Sequence, residues 1–244
     1  MKGTVFITGA SRGIGRATAL AFAAAGFKVG INYFQNDSAA NSLVNEINSL
    51  GGVCHAVKGD VASFADMQSN ICEVKEKLGH ISVLINNAGI AYSGLFQDTT
   101  EKIWNRIFSV NVNGAYNCTR LVLPDMISCK YGRIINVSSI WGITGASCEV
   151  AYSASKSALT GFTKALAKEV APSFITVNCI APGVTDTDMN APLGKDVLSA
   201  LADDIPMGRL GTPKETASLM LYLASDDAAY LTGQVISIDG GFAV

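Results

Sequence analysis

Seven short apolar runs recur along the chain, at Thr4 to Ile7, Lys28 to Tyr33, Val53 to Lys58, Val83 to Asn86, Arg133 to Val137, Ile175 to Ile180 and Gln234 to Ile238. Most are continuous rather than alternating, which is how a strand covered on both faces reads, because neither face needs polar side chains for water. The stretches between them repeat apolar residues at a period near 3.6, the mark of helices with one buried stripe. This alternation predicts an α/β fold, a doubly wound parallel sheet of about seven strands with helices on both faces. Several boundaries carry their own signals. Ser63 with Asp66 resembles a capping box, Gly51 and Gly52 stop the second helix, and Pro213 stands where a first helical turn begins.

Ligands of such a sheet bind outside the carboxyl ends of its strands. The distinctive residues fall there: Gly9 to Gly15, Asp60, Asn86 to Gly89, Ser138-Ser139 and Pro182-Gly183. The first group, Thr8-Gly9-Ala10-Ser11-Arg12-Gly13-Ile14-Gly15, joins a strand to an alanine-rich helix. Its glycines permit a tight turn and let backbone N–H groups reach a pyrophosphate at the positive end of the helix dipole. With the next strand at Lys28 to Tyr33, the loop sits inside a strand–helix–strand unit of roughly 30 residues, the context a dinucleotide site requires.

Composition narrows the function classes. The 244 residues are 49% hydrophobic and 16% charged, with net charge −2 and scattered Lys and Arg, so neither nucleic acid nor an anionic membrane surface is an expected partner. The longest uncharged stretch, Val170 to Thr185, is broken by Pro172 and Pro182, and Arg12 and Arg16 come too early for a signal peptide. The expectation is a soluble, cytoplasmic protein forming one domain over 1–244. Six cysteines stand far apart and His55 and His80 lack a second ligand at helical spacing, so no metal site is expected.

Tyr152 and Lys156 lie four apart at the start of a predicted helix and share one face. An ammonium beside a phenol favours the phenolate, lowering its pKa by roughly 1–3 units toward the range of a working acid or base. Upstream, the fifth strand ends in Ser138-Ser139, which places a hydroxyl beside that helix; Ser139 is the candidate donor to a carbonyl oxygen and Ser138 its competitor. With a dinucleotide, these groups describe hydride transfer to a carbonyl carbon, Tyr152 protonating the oxygen and Ser139 polarising it.

From end to end the chain resembles a classical short-chain dehydrogenase/reductase. TGASRGIG at 8 to 15, Asp60-Val61, NNAG at 86 to 89, Asn111 in NVNG, Ser139, YSASK at 152 to 156 and Pro182-Gly183 match the family pattern in order. The resemblance implies a Rossmann-type fold and a catalytic set of Asn111, Ser139, Tyr152 and Lys156. It further implies that Asn111 holds a helix kink and a water leading from Lys156 to solvent, that Lys156 binds the nicotinamide ribose, and that Asp60 and Val61 contact adenine. Gly9, Ser11, Arg12, Gly13, Ile14, Gly15, Asn87, Ala88, Gly89, Ile180, Pro182, Gly183, Thr185 and Thr187 would line the remaining cofactor path, although Asn86 and Asn87 also suit turns. Family members are commonly tetramers, so a homotetramer is expected, paired through residues 100 to 126, 152 to 170 and the last strand.

No carboxylate ends the second strand, where Asn32-Tyr33-Phe34-Gln35 stand, and Arg12 could pair with a 2′-phosphate; NADP(H) is therefore the expected cofactor, with Asp37 the counter-indication. The segment 184 to 210, with Met189, is expected to form a lid over the substrate. Similarity through ITVN at 175 to 178, APGVTDTDM at 181 to 189 and LTGQVISIDGG at 231 to 241 is strongest to bacterial 3-oxoacyl-[acyl-carrier-protein] reductases of fatty-acid synthesis. Those enzymes often carry a basic residue for docking the carrier where Ser173 and Phe174 stand. A second resemblance, through Ser138 to Gly142, Gly145 to Val150 and Ile205 to Arg209, is to reductases of the 5-aminopentanone modification on elongation factor P. On that likeness Trp141 and Glu149 are candidate substrate residues, the carboxylate pairing with a substrate ammonium. A non-catalytic dinucleotide sensor of this fold typically loses Tyr or Lys from YxxxK, and both are present.

Overall fold

The computed structural model describes residues 2–188 and 194–243. Its strands β1 (Lys2–Ile7), β2 (Phe27–Tyr33), β3 (Val53–Lys58), β4 (Ile81–Asn86), β5 (Gly132–Val137), β6 (Ile175–Pro182) and β7 (Val235–Ile238) form one parallel sheet in the order β3-β2-β1-β4-β5-β6-β7. Every apolar run read from the sequence is a strand. The helices are α1 (Gly13–Ala24), α2 (Asp37–Ser49), α3 (Phe64–Leu78), α4 (Glu101–Phe108), α5 (Gly114–Cys129), α6 (Trp141–Thr144), α7 (Val150–Val170), α8 (Lys195–Asp204) and α9 (Pro213–Leu223).

Strand β1 shows why the runs are continuous. Val5 and Ile7 pack with Phe22, Leu43, Ile47 and Met220 on one side of the sheet, while Phe6 packs with Met67, Ile71, Val74 and Met126 on the other. Successive side chains point to opposite faces and both faces are covered, so Val5, Phe6 and Ile7 are apolar in succession. The caps agree with the sequence reading: the Ser63 hydroxyl accepts from the Asp66 N–H at 3.2 Å, and Pro213 opens α9 behind a capping box of Thr212 and Glu215.

Strand β1 is bonded to β2 on one side and β4 on the other, so the chain reverses direction across the sheet between β1 and β4. Loops leaving neighbouring strands there diverge and open a crevice at the carboxyl edge. Between α4 and α5 the backbone makes a π-helical turn, Ser109–Asn113, which the sequence marked only as a kink at Asn111. Among the described residues no helix is long and apolar enough to cross a membrane.

Candidate active site

A cleft of about 1440 Å³ opens at that switch point, lined by the loops after β1, β2, β3, β4, β5 and β6. Gly9 takes φ +64°, and a Cβ there would stand 2.8 Å from the Ala88 Cα; a Cβ on Gly15 would stand 2.6 Å from both the Asn87 Nδ2 and the Gly9 carbonyl oxygen. Only glycine fits at these close approaches. The Thr8 hydroxyl accepts from the N–H groups of Asn87 and Ala88 at 3.0 Å each, and the Asn87 amide donates to the carbonyls of Thr8 and Gly9 at 2.9 and 3.1 Å. Thus NNAG clamps the glycine loop from the β4 side. Asn86 is no turn former: it ends β4, buried, and donates to the Thr119 hydroxyl at 3.1 Å and to the Asn136 side chain at 2.8 Å.

At the other end of the cleft Ser139, Tyr152 and Lys156 converge, all nearly buried. Ser139 accepts from the Trp141 N–H at 3.2 Å and shares a hydrogen bond with the Tyr152 phenol. Ser138, the competing hydroxyl, donates to the Lys156 carbonyl at 2.8 Å and so holds α7 against β5. The Lys156 ammonium donates to the Val137 carbonyl at 2.7 Å and lies 5.6 Å from the centre of the Tyr152 ring. Glycine at 89 makes room for it, since a Cβ there would stand 3.2 Å from the Lys156 Nζ.

The expected lowering of the Tyr152 pKa is reversed. Burial pushes the phenol up to about 12 and the nearby Glu149 carboxylate adds to the rise, against the Ser139 hydrogen bond that lowers it. Lys156 is itself lowered to about 8 by burial. Desolvation dominates at both groups, each being driven toward its neutral form. Asn111 stands behind the cleft rather than in it: its side chain accepts from the Ile90 N–H at 2.8 Å and donates to the Ile90 carbonyl at 3.0 Å and the Ser155 hydroxyl at 2.9 Å. These bonds pin the π-helical turn to α7 and to the loop after β4.

At the glycine-loop end, Ser11, Arg12, Gly13, Ile14, Asp60 and Val61 line the cleft as expected. The Asp60 carboxylate accepts from Arg106 of α4 at 2.7 Å and from the Ala62 N–H at 3.0 Å. The Arg106 guanidinium also lies 5.8 Å from the centre of the exposed Phe34 ring. Asp37 is bound by Lys58 and by the Tyr33 hydroxyl, both at 2.9 Å, which hold its carboxyl below the usual range. Pro182, Gly183, Thr185 and Thr187 border the middle of the cleft, and the Thr187 methyl stands over Gly13. Ile180 does not reach the cleft but is buried in β6. Trp141 and Glu149 line the substrate end together with Val197 and Leu201 of α8; Met189 lies outside the described residues. Glu149 is half-buried, which raises its pKa, and among the described residues no cation pairs with it.

The family profile described as "Enoyl-(Acyl carrier protein) reductase" matches residues 9–243. The chain belongs to the short-chain dehydrogenase/reductase family. It is an oxidoreductase of a carbonyl/alcohol pair that uses a nicotinamide dinucleotide. Among characterised relatives, it is 42% identical to a 3-oxoacyl-[acyl-carrier-protein] reductase of Synechocystis sp., over 98% of this chain and 96% of that one. It is also 42% identical to an acetoacetyl-CoA reductase of Shinella zoogloeoides, over 99% and 98% of the two chains. A crystal structure of a putative gluconate dehydrogenase from Agrobacterium tumefaciens superposes with a TM-score of 0.95 at 30% identity, covering 99% of this chain and 96% of that one.

Sequence reading missed Arg106 and Phe34. Neither belongs to a family motif, and Arg106 meets Asp60 across 46 residues of chain, so no local pattern could have announced the pair. Thr8 was readable within TGASRGIG, but its role as a clamp on NNAG needs the β1–β4 pairing.

Proposed function

We propose that the protein is an NADPH-dependent ketoreductase of fatty-acid synthesis, reducing a 3-oxoacyl thioester on acyl carrier protein to the 3-hydroxyacyl form. The convergence of Ser139, Tyr152 and Lys156 at the far end of the glycine-loop cleft carries this reading. Both relatives named above are 3-oxoacyl thioester reductases by name, differing in the carrier. Although the family description speaks of an enoyl substrate, two hydroxyls aimed at one point suit the protonation of a carbonyl oxygen.

The glycine cradle, Asp60-Val61 and NNAG fit a dinucleotide, which when bound supplies hydride to the carbonyl carbon. Arg12 in the loop, exposed and without an acidic partner among the described residues, suits a 2′-phosphate, and Asp37, already held by Lys58, repels one little. Ser139 receives the Trp141 N–H on its oxygen, leaving its own proton to donate to the substrate carbonyl. Tyr152, raised to about 12, arrives protonated and gives that proton to the developing alkoxide. Lys156 stabilises the phenolate left behind, which regains a proton from solvent. Asn111 holds the backbone that Lys156 and Tyr152 rest on. We further propose a homotetramer in the cytoplasm.

Glu149 favours a second reading. A carboxylate that no cation pairs with among the described residues, lining the cleft with Trp141 and Tyr152, has no use for an acyl chain, whereas a substrate ammonium would pair with it and stack on the indole. On this reading the carrier is elongation factor P bearing a 5-aminopentanone group.

The test offers NADPH, in parallel, an acetoacetyl thioester and the 5-aminopentanone-modified factor, following absorbance and product mass. Thioester reduction supports the first reading, reduction of the modified factor alone supports the second, and reduction of neither overturns both. Tyr152→Phe is expected to lose most turnover while keeping NADPH affinity; full activity in that variant removes Tyr152 as the acid.

A further inference from the structure

The C-terminal turn touches both walls of the substrate end of the cleft. Asp239 accepts from the N–H groups of Gly241 and Ala243, at 3.0 Å each, and so folds the residues after β7 back on themselves. That turn delivers the Phe242 ring to Trp141, edge to face, with centroids 5.6 Å apart and planes at 72°. The same turn meets the exit of α8: the Met207 N–H donates to the Gly240 carbonyl at 3.2 Å, and a Cβ on Gly240 would stand 2.7 Å from the Ile205 side chain. Helix α8 forms one wall through Val197 and Leu201; Trp141 forms the other.

Trp141 also reaches the reacting end of the cleft. Its backbone N–H is the donor to the Ser139 hydroxyl, and α6, which it opens, is one turn long and has little stability of its own. The backbone of α6 is held by α7, the Ser157 hydroxyl donating to the Gly142 carbonyl, but the large half-exposed Trp141 side chain needs a support of its own to hold one position. The Phe242 ring is the aromatic contact that Trp141 makes, and it comes from the opposite end of the chain.

We propose that Phe242 is a positioning residue for substrate, fixing the Trp141 indole as the wall of the acyl end of the cleft. The edge-to-face geometry matters, because a ring edge against a ring face is an electrostatic match that an aliphatic side chain of similar volume does not supply. This inference rests on reading the cleft as a carbonyl-reducing site.

Emission from Trp141 reports on the contact without any turnover. The chain has two tryptophans, so the measurement is made in a Trp104→Phe background, comparing Phe242 with Phe242→Ala, Phe242→Leu and Phe242→Tyr. Expected is a changed Trp141 emission maximum in the Ala and Leu variants, with the Tyr variant restoring it. In steady-state reduction of a 3-oxoacyl thioester, the same two variants should raise KM several-fold and leave the NADPH dissociation constant unchanged. An emission maximum indifferent to Phe242→Ala, an unchanged KM, or Leu restoring both as well as Tyr does, overturns the proposal. If the parent protein reduces no carbonyl substrate, the function proposed above fails instead, and the emission series still decides whether Phe242 holds Trp141.

Discussion

Burial acts in opposite senses on the two ionisable groups at the end of the cleft, holding the proton on Tyr152 to about 12 and releasing it from Lys156 at about 8. At neutral pH the phenol is protonated and the lysine charged, the pairing a reductase needs. As pH rises, Lys156 changes first, so kcat/KM for carbonyl reduction should be level through neutrality and fall with an apparent pKa near 8; a profile level to the pH of free tyrosine would remove Lys156 from proton transfer. The fall would not reflect unfolding caused by this group. Between about 8 and the ordinary 10.5 of lysine the unfolded chain binds the extra proton, so Lys156 makes folding more favourable as pH rises through that window. At the opposite end, Arg12→Ala should weaken NADPH far more than NADH, read by titration of cofactor fluorescence. Equal losses would detach Arg12 from the 2′-phosphate.

Helix α9 follows the exit of α8 and begins with a box in which the Thr212 hydroxyl accepts from the Glu215 N–H at 3.3 Å while Glu215 accepts from the Thr212 N–H at 2.8 Å. Arg209 grips the same carboxylate at 2.6 and 3.1 Å and, with Thr212, lowers it to about 2. Thr212→Ala should cost about 1 kcal/mol in urea unfolding. The part of that cost carried by the Thr212 hydroxyl donating to the Glu215 carboxylate is present above the ordinary carboxylate pKa of 4.5 and is lost as pH falls toward 2, so the difference should narrow in acid but persist through the bond to the Glu215 N–H, which does not titrate. Elements whose signals are local, such as the Ser63 cap, the start of α9 at Pro213 and the continuous apolar run of β1, were legible in the sequence. The π-helical turn at Ser109–Asn113 was legible only as the kink at Asn111 that the family resemblance implied, because the bonds that hold it open run from Asn111 to Ile90 and Ser155, outside its own segment. Helix α6 was missed for a different reason: a single turn has no periodicity to read. The rise of the Tyr152 pKa was likewise invisible, since spacing shows the neighbouring lysine but not the depth of burial.

Across the molecule, the largely apolar sheet carries a polar seam in which Asn86 donates to Asn136 at 2.8 Å and Asn136 to the Thr163 hydroxyl at 2.9 Å, tying β4 and β5 to α7 beneath the cleft. The interior therefore satisfies its polar groups largely within one chain, whereas the outside does not cover all its apolar ones. Leu95 and Phe96, leading into α4, are 55% and 62% exposed, and Tyr116 on the outer face of α5 is 52% exposed. Large apolar side chains left on the α4–α5 side suit an interface between copies, and a two-fold interface would bring each such residue into play twice. Sedimentation should give a tetramer of the 25.5 kDa chain. In Tyr116→Arg, the two-fold would place a pair of like charges in one contact, so dissociation to a smaller species is expected, with the unfolding transition of the released chains still cooperative. A variant that stays tetrameric would put the interface on another face, away from α5, and one whose parent is already monomeric would leave these side chains without a partner copy.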